Sequence, residues 1–457
     1  MKQILPQGLI HAKCLDLTFE GLGVCKDNGN VIFVDGMFPG DEGDIEVIYR
    51  RAGQLYGELK KLTLPSPDRI DPLCKVCHAC GGCSFQQYSY PAQLKFKQKT
   101  VQEQFRKLGH TEVQPLPTLG MEKPYYYRNK VQMPFTLGDK GNIYCGFYKE
   151  NSHVIVPIQK CAIEDERCEA ILDALKILMK IYQVLPYDEM SGTGVLRHAI
   201  IKTSYYYKQI MVVLVMTTSA FPNKEQFVRD LLGKCPEITT LVLNVNKSTG
   251  SKIMGDEIQT LYGSGYIQDD LCGLHFQLSA KSFYQTNPVM TEKLYKTAMD
   301  FAELKSTDVV FDAYSGIGTI GLIAARSVAK VISVEIVPEA VDDAKKNAAL
   351  NGIKNFEVYA DDASSYIYKL LDSKTTVDVL FMDPPRKGSD ERFLKAVKAL
   401  HPNRVVYVSC NPSTLARDCE FLSDAYKVSK LQPVDLFPQT PHVETVCELS
   451  LRNADKH

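Results

Sequence analysis

Cys410 stands in Ser409-Cys410-Asn411-Pro412, at the end of an apolar run (404–409) that reads as a strand. A lone cysteine is usually a small buried hydrophobe. This one is followed by the turn formers Asn411-Pro412-Ser413-Thr414 and a helical segment over 415–423, and a thiol near a helix N-terminus is expected to have a lowered pKa. The chemistry this predicts is nucleophilic addition, which needs a partner to carry a proton. Glu444, in Gln439-Thr440-Pro441-His442-Val443-Glu444, is the expected general base, and His442 competes with it.

A cofactor unit lies upstream. Asp312-Ala313-Tyr314-Ser315-Gly316-Ile317-Gly318-Thr319-Ile320-Gly321 follows an apolar strand, and Glu335 ends the next one. Gly316, Gly318 and Gly321 match G-x-G-x-x-G, with an acidic residue at ribose spacing, which alone suggests NAD. Asp312 shifts the reading. A carboxylate before the glycines repels a pyrophosphate but suits the ammonium and sulfonium end of S-adenosylmethionine. Glu335 offers two acceptor oxygens to ribose hydroxyls. Asp361 and Asp362 either receive the adenine amino group or cap a helix. Asp383-Pro384-Pro385-Arg386 follows the fourth strand, at the edge where such sheets bind ligands.

The elements that must position these groups are apolar strands at 309–313, 330–335, 356–360, 377–383 and 404–409, separated by helical segments. That rhythm predicts a doubly wound, Rossmann-like α/β domain. Residues 125–267 mix strand-like runs (200–203, 210–217, 240–245) with a helix over 166–182, and read as α+β. Residues 2–62 hold four or five short strands with Gly-rich turns, which predicts a small β-barrel. Leu64-Pro65-Ser66-Pro67 reads as a linker. A helix over 91–108 carries Lys95, Lys97, Lys99, Arg106 and Lys107, either as a solvated face or as an RNA contact. The expected fold is multidomain α/β: a barrel over 1–62, a central α+β domain over 63–265 and the α/β domain over 266–457, with helix 91–108 a candidate to pack on the last.

A chain of 457 residues is expected to hold two or three domains. Its longest clean apolar run, 210–216, is strand-sized, so no membrane span is expected. The segment Met1 to Pro6 lacks the regions of a signal peptide, which predicts a cytoplasmic protein. A net charge of −1 excludes a uniformly basic nucleic-acid coat, so any RNA site must be local. Fourteen cysteines in such a chain point to metal, cluster or nucleophile roles rather than disulfides. Cys74, Cys77, Cys80 and Cys83 form C-x2-C-x2-C-x2-C, a spacing that suits zinc or iron–sulfur.

Together these segments resemble the RNA uracil-C5 methyltransferase family, which includes the tRNA enzyme and bacterial 23S rRNA enzymes. The matching stretches are Phe283-Tyr284-Gln285-Thr286-Asn287, the glycine loop from Asp312 to Thr319, Val334-Glu335, Met382-Asp383-Pro384-Pro385-Arg386-Lys387-Gly388, Val408 to Asp418, and Asp435 to Glu444. The resemblance implies Cys410 as nucleophile, Glu444 as proton acceptor, and Gln285, Tyr314, Glu335 and Asp383 as S-adenosylmethionine contacts. It implies that the barrel is a TRAM domain, an OB-like RNA-binding module. The tRNA members look shorter and lack it, which favours 23S rRNA over tRNA. The cysteines map onto C-x5-C-G-G-C plus one distant cysteine, which assigns Cys74, Cys80, Cys83 and Cys161 to a [4Fe-4S] cluster and leaves Cys77 spare. Tyr127-Arg128-Asn129-Lys130 and Gly194-Val195-Leu196-Arg197-His198 resemble family segments suited to RNA backbone contact and base stacking. Structured RNA is the expected partner, without DNA or membrane, and a monomer is the default.

The chemistry explains the thiol. C5 of uracil is too poor a nucleophile to attack a methyl group, but thiolate addition at C6 makes C5 enolate-like. The C5 proton must then leave before the thiolate is expelled. Cytosine-C5 enzymes carry a cysteine beside proline in the fourth-strand motif, absent from Asp383-Pro384-Pro385-Arg386. An exocyclic-amine methyltransferase would place an aromatic where Arg386 stands. The remaining alternatives are a tRNA uridine-C5 methyltransferase and a non-catalytic RNA-binding or ribosome-assembly factor.

Overall fold

The computed structural model describes residues 8–27, 29–150, 152–250 and 252–452. Met1 to Pro6, read above for a leader, and Asn28, in an expected turn, lie outside them. Near the N-terminus, β1 (Leu9–Leu17), β2 (Gly23–Asp27), β3 (Asn30–Val34), β4 (Glu42–Arg51) and β5 (Gln54–Leu64) close into a barrel in the order β1-β2-β3-β5-β4. Alternation puts Ile45 and Val47 of β4 inside with Cys14, Cys25, Ile32 and Val34. The expected linker is tied down instead. The Asp41 carboxylate accepts from the Ser66 N–H and from the Arg69 guanidinium, whose Cζ lies 4.8 Å from the centroid of the Phe38 ring.

Helix α1 (Tyr90–Lys107) follows, and then β6 (Lys130–Leu137), β7 (Ile143–Tyr148), β8 (Ile155–Pro157), α2 (Arg167–Ile181), β9 (Leu196–Thr203), β10 (Ile210–Met216), α3 (Lys224–Lys234), β11 (Thr240–Val245) and β12 (Glu257–Tyr262). These strands form one seven-stranded sheet, β12-β11-β10-β9-β6-β7-β8. The apolar run of β10 is buried on both faces. Met211, Val213 and Val215 join the core of the C-terminal half, and Val212 and Leu214 join the core under α2 and α3.

A hairpin of β13 (Tyr266–Leu271) and β14 (Leu274–Ser279) leads into α4 (Pro288–Ala302) and a second sheet. Its strands are β15 (Val309–Ala313), β16 (Lys330–Glu335), β17 (Phe356–Ala360), β18 (Val379–Met382), β19 (Arg404–Ser409), β20 (Tyr426–Val434) and β21 (Glu444–Leu451). Helices α5 (Thr319–Ala325), α6 (Pro338–Leu350), α7 (Ala363–Asp372), α8 (Glu391–Leu400) and α9 (Pro412–Phe421) connect them. The order is β17-β16-β15-β18-β19-β21-β20, parallel from β17 to β19, with β21 antiparallel to its neighbours. The five parallel strands match the runs read from the sequence. The strand order reverses between β15 and β18, where such sheets open a crevice at their carboxyl ends.

Candidate active site

Register brings Cys410 and Glu444 together. Ser409 of β19 pairs with Thr445 of β21, so Cys410 and Glu444 are the next positions on neighbouring strands. Asp383 follows β18, Tyr314 follows β15 and Glu335 ends β16, all at the same edge. Cys410, Glu444, Asp383, Tyr314, Glu335 and Gln285 line one cleft of about 760 Å³. Arg386 lines it too. Asn411 and Thr414 side chains donate to the Arg386 carbonyl, which locks the Cys410 turn to the Asp383–Arg386 turn. Asn411 also caps α9, accepting from the Ser413 N–H.

The cleft crowds acidic groups. Burial and the Asp383 charge push Glu444 up to about 8, partly offset by Arg386, and burial pushes Asp383 up to about 7. Burial and the two carboxylates push the Cys410 thiol up to about 11. This reverses the lowered thiol pKa expected from the helix N-terminus, because two nearby carboxylates and desolvation outweigh one helix end. A group held near neutrality beside a nucleophile is suited to move protons at physiological pH. Neither the Glu444 nor the Asp383 carboxylate has a hydrogen-bond or ion-pair partner among the described residues, which leaves their oxygens for a ligand. His442 is exposed and lies outside the cleft lining, its ring 6.2 Å from Phe437.

The cofactor residues divide. Glu335 accepts from the Gly316 and Val337 N–H groups, which orients its carboxylate at the cleft wall. Tyr314 is held at φ +65° with its ring against Phe393. Gly318 takes φ +83° at the start of α5, and a Cβ on Gly321 would lie 2.7 Å from Asp312 Oδ2. Asp312 itself does not face the cleft. It is 1% exposed and accepts from the Gly321 N–H and the Ser333 hydroxyl. The expectation that it holds the ammonium and sulfonium end is therefore corrected: it braces the glycine turn. Asp362 caps α7 through the Ser365 N–H, and Asp361 pairs with Lys369, though both border the cleft.

Sequence reasoning missed the support beneath Glu444. The loop from Asp435 to Val443 joins β20 to β21, and α1 grips it. Lys97 is 0% exposed and donates to the Asp435 carboxylate and the Phe437 carbonyl. The Tyr90 hydroxyl donates to the other Asp435 oxygen at 2.7 Å. Gln93 Oε1 accepts from the Gln439 N–H and its amide donates to Gln439 Oε1, with Gln439 at φ +70°. The i, i+4 row Gln93, Lys97, Val101, Phe105 ends on two buried apolar residues and was the available signal that Lys97 faces inward.

The expected RNA segments also change. Tyr127 is buried and its hydroxyl donates to the Pro438 carbonyl. Asn129 is buried and donates to the Gln285 carbonyl. Arg197 is 5% exposed, donating to the Ser248 carbonyl with its guanidinium 4.4 Å from the Tyr187 ring. The Tyr127 hydroxyl, the Asn129 amide and one Arg197 nitrogen are thus spent on partners inside the fold, while Arg128 Nε, Arg197 Nε and His198 Nδ1 are buried without one among the described residues.

The cysteines gather less than expected. Cys83 and Cys161 share a small apolar cluster with Tyr127 and Ile163. Cys74, Cys77 and Cys80 lie in the preceding turns, and the Cys80 sulfur accepts from the Gly82 N–H. Burial raises the Cys80, Cys83 and Cys161 thiols, Cys83 to about 12. Among the described residues, no set of three or more His, Cys, Asp or Glu side chains is placed to hold a metal ion. As placed, Cys74, Cys80, Cys83 and Cys161 do not form the ligand set of the expected [4Fe-4S] cluster. Neutral thiols attract one another weakly, and thiolates repel unless a cation holds them.

Comparison with known proteins adds three findings. Residues 89–452 match the model of a family described as tRNA (Uracil-5-)-methyltransferase. An uncharacterized RNA methyltransferase of Oceanobacillus iheyensis is 43% identical over 441 residues, covering 96% of this chain and 95% of its own, and one of Listeria monocytogenes serotype 4b is 40% identical, covering 95% and 96%. The crystal structure of Pyrococcus abyssi tRNA (uracil-54, C5)-methyltransferase in complex with S-adenosyl-L-homocysteine shares the fold, with a TM-score of 0.77 at 24% identity over 96% of this chain and 100% of that one. Coverage that wide leaves too few residues unmatched to omit the whole barrel.

Proposed function

This chain belongs to the tRNA (Uracil-5-)-methyltransferase family, and on that premise we propose that it methylates C5 of a uridine in 23S rRNA from S-adenosylmethionine, through a covalent adduct on Cys410. The observation that carries the reading is the register that sets Cys410 beside Glu444, with Asp383 on the same cleft. S-adenosylmethionine supplies the methyl group as an electrophile on a sulfonium centre. Glu335 offers oxygens to the ribose hydroxyls, and Gln285, Tyr314 and Asp383 line the rest of its seat.

The thiolate of Cys410 forms a bond to C6 of uracil, and the displaced electron pair makes C5 the nucleophile that takes the methyl group. The Glu444 carboxylate then removes the C5 proton, the C5–C6 double bond re-forms and the thiolate leaves. These polar steps involve no net oxidation or reduction, so they need no redox group at the cysteine segment.

The division into a TRAM-type RNA-binding barrel (1–62), a central unit (63–265) and a catalytic unit (266–457) belongs to the same proposal. What supports ribosomal RNA is the C-x5-C-G-G-C spacing of Cys74, Cys80 and Cys83, shared with the rRNA branch. The barrel does not separate the branches, since a tRNA enzyme superposes across nearly the whole chain. A tRNA uridine is the second reading, favoured by the family's description. Mapping 5-methyluridine in RNA from cells lacking the gene separates them: loss from 23S rRNA is expected, and loss from tRNA alone supports the second reading. RNA carrying 5-fluorouridine at the target should trap the protein covalently, because fluorine cannot leave as the proton does. Trapping by the Cys410→Ala variant would overturn the adduct.

A further inference from the structure

Away from the cleft, two hollows share one wall. The first, about 960 Å³, lies between the turn at 73–76, strands β7 and β8, and α2. Lys75, Lys160, Lys176 and Lys180 ring it, and Tyr126 and Tyr144 line it. The second, about 540 Å³, holds Lys123, Arg128 and Lys293 with Tyr125 and again Tyr126. Tyr126 stands between them at φ +54°, its N–H donating to the Ala162 carbonyl. A left-handed backbone at a bulky L residue is strained, and such strain concentrates where a side chain must be aimed. Lys160 Nζ lies 5.8 Å from the Tyr126 ring centroid.

The charge in this region stands out because the chain as a whole carries −1. Lys75 and Lys180 make no ion pair with a described residue. Lys176 pairs with Asp173 at 2.6 Å and Lys160 with Glu166 at 3.6 Å. In the second hollow the carboxylate of Asp165 is taken up by Arg167, and Glu122 is the other acid on its wall. That hollow includes Asn129, whose amide donates to the Gln285 carbonyl, and Gln285 lines the catalytic cleft. The two basic hollows thus meet at Tyr126, and the second adjoins the cleft wall through the Asn129–Gln285 contact.

We infer that the hollow on α2 is a second RNA-binding site, which takes one unstacked base of a single-stranded segment against Tyr126 and Tyr144 with neighbouring phosphates on Lys75, Lys160 and Lys180. The inference rests on the reading of RNA as substrate. Apolar and aromatic walls accept any base face, and ringed lysines neutralise phosphates without sequence preference. The site would hold a stretch of the RNA away from the methylated uridine, which makes long, structured RNA a better substrate than an isolated stem-loop.

Ultraviolet crosslinking of the full chain to a 4-thiouridine-substituted single-stranded RNA tests this. Peptides containing Tyr126 or Tyr144 should crosslink, and Lys75→Glu/Lys180→Glu should cut that yield roughly fivefold or more. The same double variant should raise the ratio of KM on a long ribosomal transcript to KM on a short target stem-loop by roughly fivefold. Both lysines are exposed, so the fold should tolerate the reversal, and S-adenosylhomocysteine affinity checks it. Unchanged crosslinks and an unchanged KM ratio in an active enzyme overturn the site and assign the hollow to a protein partner or to none. Crosslinks at Tyr126 in a wild-type chain that methylates no uridine would uphold the site and overturn the proposed reaction instead.

Discussion

Around Cys410, acidic side chains from different strands meet in one cleft; around Cys83, the neighbouring thiols stay in turns and gather no such set. Both groups stand out by residue type and spacing. The first is positioned by ladder hydrogen bonds between β15, β16, β18, β19 and β21, which exist whether or not a ligand is present. The second depends on turns over 74–83 and on Cys161, far away in the chain, and nothing but a bound cation would repay drawing their thiolates together. A strand-edge site is therefore built by the backbone. A loop site is built by what binds it.

The largest test of that contrast is at the strand edge. Cys410→Ala should lower the methylation rate by roughly 10⁴-fold or more, and Glu444→Gln by about 10²–10⁴-fold, with a methylated covalent adduct visible by mass spectrometry in the second variant. Fast turnover by Glu444→Gln would move the base to another group. Next comes the clamp under Glu444. Lys97→Met leaves the Asp435 charge buried without its partner and should cost about 3–5 kcal/mol in denaturant unfolding. The Lys97→Met/Asp435→Asn pair should recover much of that loss. A neutral effect of the single variant would show that α1 does not brace the loop.

Proton balance gives a subtler test. Glu444 is pushed up to about 8 and Cys410 up to about 11, and the proposed reaction uses both deprotonated. Therefore kcat/KM should climb as pH rises through about 8, where a free carboxylate would already have levelled off. A profile flat from pH 6 upward would contradict the crowded cleft. The smallest effect is expected on the other side of the comparison. Cys80→Ser should change methylation by less than about twofold, as for a substitution outside the reacting groups. Stoichiometric iron in the anaerobically purified chain, lost in that variant, would show that a ligand regathers the turns and would break the contrast.

Much of the C-terminal half was legible in the sequence. The runs at 309–313, 330–335 and 404–409 are the strands β15, β16 and β19, because strands buried on both faces advertise themselves as unbroken apolar stretches, and 356–360 is β17, an edge strand in which only Val358 is buried. The barrel was legible from its turns and short runs. Four strands of the central sheet, β6, β7, β8 and β12, were not. Lys130–Leu137 is interrupted by polar residues, and Glu257–Tyr262 is largely exposed at an edge, so neither carries a clean period. The helix at 91–108 was placed within a residue or two, yet its lysines were read as a surface when Lys97 is a buried counter-ion.

The amino-acid sequence by itself determined the parallel strands, the glycine turn and the identities of Cys410 and Glu444 as the groups that could react, since periodicity and motif chemistry are written into neighbouring residues. Only the tertiary structure decided that Asp312 turns away from the cleft, that burial together with Glu444 and Asp383 raises the Cys410 thiol instead of the helix lowering it, and that α1 holds the Asp435 loop. Each of these depends on groups far apart in the chain, and the sum of desolvation and nearby charge exists only once they are packed together.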